Sequence, residues 1–128
     1  MACLLIDYEN EGSRIEGLSF LNFTERDEIV VFYTRHADHF SINLHRELET
    51  MSAKKRYIEA ETGKANALDF QLVSYLGFRI NQNPFDNYFI VSKDTGFEPV
   101  CAFWRKQKVA VRRIEKISHY ALLGKDRI

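Results

Sequence analysis

Five short runs of the chain read as strands, several of them nearly continuous in apolar residues at their centres, and the stretches between are apolar at helical spacing. Cys3–Asp7 (CLLID), Glu28–Thr34 (EIVVFYT), Lys55–Ala60 (KRYIEA), Tyr88–Ser92 (YFIVS) and Val109–Ile114 (VAVRRI) include many β-branched and aromatic residues. Continuous apolar centres of this length predict strands, several of them covered on both faces. Helical spacing joins Ile15, Leu18 and Leu21; Phe40, Leu44, Leu48 and Met51; Leu68, Leu72 and Leu76; and Val100, Phe103 and Trp104. A last helix is predicted from Ile117 to Leu123, with Gly124 as its stop.

Strict alternation of strand and helix implies right-handed crossovers, and so a three-layer α/β/α domain around a mostly parallel five-stranded sheet. With strand order 3-2-1-4-5, the order reverses between the first and fourth strands. Ligands bind outside the carboxyl ends of the strands at such a point. The ends that meet there are Asp7 and the Ser92–Asp94 segment.

Composition narrows the reading without redirecting it. The chain has 128 residues, enough for one domain spanning 1–128 and too few for two. No stretch approaches the ~20 consecutive apolar residues of a membrane span. The start, MACLLIDYEN, lacks the basic opening of a secretion signal. Cys3 and Cys101 have neither disulfide nor metal spacing, so buried thiols in a reducing compartment, the cytoplasm, are expected. Net charge is zero, which argues against a simple nucleic-acid coat, but Arg105 to Arg127 is strongly basic while acids dominate the first half. An ordinary solvated surface and a phosphate-attracting face both fit that asymmetry.

Candidate chemistry lies in the carboxylates. Asp7 directly follows four apolar strand residues and has no local capping role. Asp94 similarly follows a buried strand, in YFIVSKDTGFEPV, with Glu98 four residues later. Asp69 lies in GKANALDFQLVSYLG, where a first-turn acid behind an Asn66 N-cap explains it equally well. Glu98 before Pro99 also reads as a helix-start acid. Gathered on one rim, these groups repel unless protonated or met by a hard divalent cation, Mg2+ or Mn2+. Such an ion polarises a phosphodiester and acidifies an attacking water.

LLIDYENEG, GKANALDFQLVSYLG and YFIVSKDTGFEPV together resemble the PIN-like nuclease superfamily, especially its NYN-type branch and small bacterial PIN-like proteins. The matching features are Asp7 with Asn10 three residues on, Asp69 in a central helix, and the S-x-D-x-x-F-x-P turn from Ser92 to Pro99. The resemblance implies a PIN-like (Rossmann-like) fold and a metal-dependent endoribonuclease acting on single-stranded RNA, leaving 5′-phosphate and 3′-hydroxyl ends. Asp7, Asp69 and Asp94 would hold metal, with Glu98 and Asn10 assisting. Gly96 departs from the pattern, because many relatives carry a second Asp there.

Lys64, Lys93 and Arg35 are candidates to steady the RNA backbone, and Tyr8 to stack on a base. Each has a plain alternative: charge neutralisation for the lysines and core packing for Tyr8. His36, His39 and His45 lack the spacing of a helical zinc site. Two other functions compete with hydrolysis. One is a catalytically weak RNA-binding or interaction module working with a protein partner or as a homo-oligomer. The other is a phosphotransfer domain, against which stands the lack of a clear lysine at the fifth strand's end.

Overall fold

The computed structural model describes residues 1–8, 22–34, 42–60, 66–118 and 120. The strands are β1 (Ala2–Asp7), β2 (Glu28–Tyr33), β3 (Lys54–Glu59), β4 (Asn87–Val91) and β5 (Ala110–Ile114). Among the described residues, three α-helices lie between them: α1 (Ile42–Thr50), α2 (Ala67–Gln82) and α3 (Glu98–Lys106). All neighbouring strands pair parallel, in the order β3-β2-β1-β4-β5. The expected order and element types therefore hold. The helix expected at Ile15–Leu21 lies outside the described residues, as does most of the last one. Ile117, Ser118 and Tyr120 are helical.

Period-two alternation divides the core into two layers. On one face, Leu4 and Ile6 of β1 join Ile29, Val31, Phe89 and Val91, covered by Leu48 of α1 and by Ile117. On the other face, Cys3 and Leu5 join Val30, Phe32, Tyr88 and Ile90 beneath Leu68, Leu72, Leu76 and Ile80 of α2 and Cys101 of α3. The three α2 leucines are at most 1% exposed, so each Leu→Ala change there is expected to cost about 2–5 kcal/mol. The predicted α3 stripe is shifted: Cys101 is its buried residue, with Val100 and Trp104 half-buried and Phe103 exposed. Both cysteines are free and buried.

Local devices hold the elements in place. The Lys55 ammonium on β3 donates to the last α1 carbonyls, Leu48 O at 2.9 Å and Met51 O at 3.0 Å, complementing that end of the helix dipole. α3 closes with Val109 N–H on Trp104 O and Lys108 N–H on Arg105 O, both at 3.0 Å. That Schellman closure puts Lys108 at φ 67°, a left-handed position more often given to glycine. Under the far end of α2, buried Glu28 meets Arg79 at 3.2 Å and accepts a bond from the Tyr75 hydroxyl at 3.2 Å. The Tyr88 hydroxyl bonds the carbonyls of Arg79 (3.0 Å) and Asn83 (2.7 Å).

Candidate active site

β1 and β4 are adjacent central strands, and the chain leaves both at the same edge of the sheet. Asp7 ends β1 and is 2% exposed. Alternation along β1 sets Asp7 on the side of Cys3 and Leu5, the α2 side. Just past β4, fully buried Ser92 donates its hydroxyl proton to Asp7 Oδ2 at 2.9 Å. The Ser92 Oγ in turn accepts the Asp94 backbone N–H at 3.0 Å. One hydroxyl thus ties a carboxylate on the first strand to the turn after the fourth, 85 residues later.

That turn is braced from within and from outside. Asp94 Oδ1 accepts the Gly96 N–H at 2.8 Å and so starts the short 3-10 turn Thr95–Phe97, which runs directly into α3. Gly96 leaves room for this fold-back: a Cβ there would lie 3.0 Å from Asp94 Oδ1. From β5, Arg113 donates to Glu98 Oε1 at 2.6 Å and to the Ser92 carbonyl at 3.1 Å, fastening both ends of the turn. Glu98 also opens α3, with Pro99 in the first turn.

Asp69 enters from α2. It lies in that helix's first turn, behind Asn66, whose backbone is left-handed at φ 64° and whose side chain makes no capping bond. Asp69 and Asp94 line one cavity of about 300 Å3, together with Asn66 and Gly96 and the apolar Phe70, Val73, Phe97 and Val100. This cavity lies beyond the carboxyl ends of the central strands, where doubly wound sheets place ligands. A larger hollow, about 700 Å3, opens at the opposite edge beside Met1, Phe23 and Asp27. Its Asp27 carboxylate is already engaged, accepting from the Ala2 and Thr24 N–H groups. The smaller cavity is the better candidate.

Of the nine residues singled out in the sequence, Asp69 and Asp94 face this shared space, and Asp7 stands behind it through Ser92. Glu98 is held by Arg113 and does not line the cavity. Lys93 is exposed on the turn. Tyr8 is not a stacking platform: it is 5% exposed and packs in the core layer of Leu4 and Ile6. Asn10, Lys64 and Arg35 lie outside the described residues, as do His36 and His39. His45 sits exposed on α1, 4.0 Å from Glu49.

Two participants escaped the sequence reading: Arg113 was visible only as one charge in a basic run, and Phe70 only as a residue between the leucines of α2. Ser92 was placed at the meeting point with Asp7, but without its bond to that carboxylate. Phe70 is 67% exposed at the cavity wall.

Among the described residues, no three metal-ligating side chains converge closely enough to hold an ion by themselves. Two carboxylates on one open cavity still suit Mg2+ or Mn2+, which commonly keep several waters and take only one or two protein carboxylates. The oxygen donor set fits such a hard ion, in an open site and not a closed cage. No helix among the described residues is long and apolar enough to cross a membrane.

A family model described as PIN domain matches residues 1–114. No curated protein and no solved structure matches the chain.

Proposed function

This chain belongs to the PIN domain family, and on that premise we propose that it is a metal-dependent endoribonuclease hydrolysing phosphodiester bonds of single-stranded RNA. The observation that carries the reading is the meeting of Asp69 and Asp94 on one cavity, with Asp7 joined to the Asp94 turn through Ser92. The S-x-D-x-x-F-x-P turn supports a place in the NYN-type branch. Free, buried thiols at Cys3 and Cys101 support a cytoplasmic protein.

Asp69 and Asp94 would hold Mg2+ or Mn2+, which when bound would neutralise charge at the phosphate and acidify a water. The chain's own part is positional. Ser92 holds the Asp7 carboxylate behind the site and fixes the start of the Asp94 turn. Arg113 holds that turn against β5 and takes up the charge of Glu98. Pinned carboxylates need little reorganisation when a substrate arrives, which is where such sites gain rate.

Purified protein should cleave single-stranded RNA with Mg2+ or Mn2+, leave 5′-phosphate ends, and stop when a chelator is added. Asp69→Asn and Asp94→Asn should each lower cleavage roughly 100-fold with the fold intact. The same two changes should abolish the thermal stabilisation that the ion gives the wild type. Full activity in either variant would remove that residue from the site. Gly96 and the open, two-carboxylate arrangement favour a second reading, a weak or inactive PIN-like module that binds RNA within a larger complex. RNA retained without metal-stimulated cleavage would select it.

A further inference from the structure

Phe70 is unusual for its position and not merely for its exposure. Isolated exposed aromatics are common on protein surfaces and need no special account. Phe70, however, directly follows Asp69 on α2 and lines the same cavity as Asp69 and Asp94, with two-thirds of its surface open to solvent. Its ring sets an exposed apolar face beside the two carboxylates that line the same cavity. A phosphate brought to Asp69 and Asp94 must carry a sugar and a base with it. The cavity, about 300 Å3, is at the small end for ligand sites, so it suits part of one nucleotide and no duplex.

We propose that Phe70 is a base-stacking residue that seats one unpaired nucleobase beside the phosphodiester to be cut. The inference rests on the nuclease reading and adds to it the feature that selects single strands. Only an unpaired base can turn its face to a ring, since a duplex offers base edges alone. Stacking tolerates any base, because each has a π-face, so the contact selects strandedness and not sequence. It also supplies a binding contribution that the acidic cavity cannot. Two carboxylates repel RNA phosphates, whereas a neutral ring attracts a base almost independently of salt.

Three variants test this: Phe70→Ala, Phe70→Leu and Phe70→Tyr. All should melt close to the wild type, since the side chain lies mostly in water. With a fluorescent single-stranded RNA oligomer, Ala and Leu should weaken binding and raise KM roughly ten-fold or more, with kcat little changed, and Tyr should restore both. The loss should persist unchanged from low to high salt. An abasic ribose stepped along the oligomer should slow wild-type cleavage at one position relative to the cut, and the Ala variant should not register it. Equal affinity in all four proteins would overturn the proposal, as would rescue by Leu equal to that by Tyr. A wild type that binds the oligomer without cutting it removes the nuclease reading, and the affinity comparison still decides Phe70. A wild type that does not bind RNA at all removes both.

Discussion

Removing the Ser92 hydroxyl tests the architecture of the site more directly than removing any carboxylate. In Ser92→Ala the backbone is undisturbed, the lost volume is a single oxygen, and the position is fully buried. What disappears is the bond to Asp7 Oδ2 at 2.9 Å and the acceptor for Asp94 N–H at 3.0 Å. A hydrogen bond to a buried charged group is worth about 1.5–3 kcal/mol. The amide bond adds less, because the Asp94 turn is exposed and water can replace the lost acceptor. The sum is about 2–3 kcal/mol against a total of about 5–15 for an ordinary domain. At roughly 4 °C per kcal/mol for a domain of this size, the melting temperature should fall by about 10 °C. Urea unfolding at unchanged m-value is the assay. The decisive version is a double-mutant cycle with Asp7→Asn. If Ser92 acts by solvating the Asp7 charge, the two changes should couple by about 1 kcal/mol or more. A loss under about 0.5 kcal/mol, or strictly additive changes, would refute the link between the two strands.

Lys108→Gly should stabilise the protein by about 1 kcal/mol, because φ 67° strains any side chain but glycine; an unchanged or lower urea midpoint would contradict that. Gly96→Ala sets a Cβ 3.0 Å from Asp94 Oδ1, so the carboxylate must shift by a few tenths of an ångström. The Mn2+ concentration giving half-maximal thermal stabilisation should then rise, and an unchanged value would show that Asp94 does not need its fold-back. Alkali should unfold the protein early. Burial, reinforced by Glu28, pushes Cys3 from 9.0 to about 12 and Tyr75 from 10.0 to about 12. Burial raises Tyr88 to about 12, with Asp86 assisting, and Cys101 to about 11, with Glu98 assisting. Below pH 9 these groups keep their protons in both states. Between 9 and 12 the unfolded chain releases protons that the native state retains, so stability falls as pH rises. Urea midpoints should hold level from pH 8 to about 9 and then decline to pH 11, and a profile flat throughout would sink the argument.

The strand reading came within a residue at every boundary. β1, β2 and β4 stood out because buried parallel strands must be apolar throughout, while β3 and β5 are partly exposed and mixed in sequence. The parallel sheet followed from alternation and crossover handedness, whereas the order 3-2-1-4-5 was assumed and the sheet has it. Asp7 drew notice for a related reason, being an acid at the end of an apolar run with no local capping job. Asp94 drew notice the same way, although its side chain caps the Gly96 N–H. Tyr8 could have been read correctly. Counting by twos from Leu4 and Ile6 sets it on the face opposite Asp7, in the layer under α1. Glu98 was harder. Its partner Arg113 is fifteen residues away and arrives only because β5 pairs with β4 in one register. Phe70 was missed because the leucine stripe of α2 made every residue off it look like plain solvent surface. A short cavity wall leaves no period to detect.

α2 is fastened unequally. Its distal end is riveted by the Tyr88 hydroxyl and by the Arg79–Glu28 pair, while the end bearing Asp69 begins at Asn66 with no side-chain cap. Helices unravel from their less secured end, so amide-proton exchange should be fastest in the turn of Asp69 and slowest around Arg79. The rod can flex at its tip without disturbing its root. An acid mounted on that tip can adjust to an incoming cation by a fraction of an ångström while the leucines beneath keep their places.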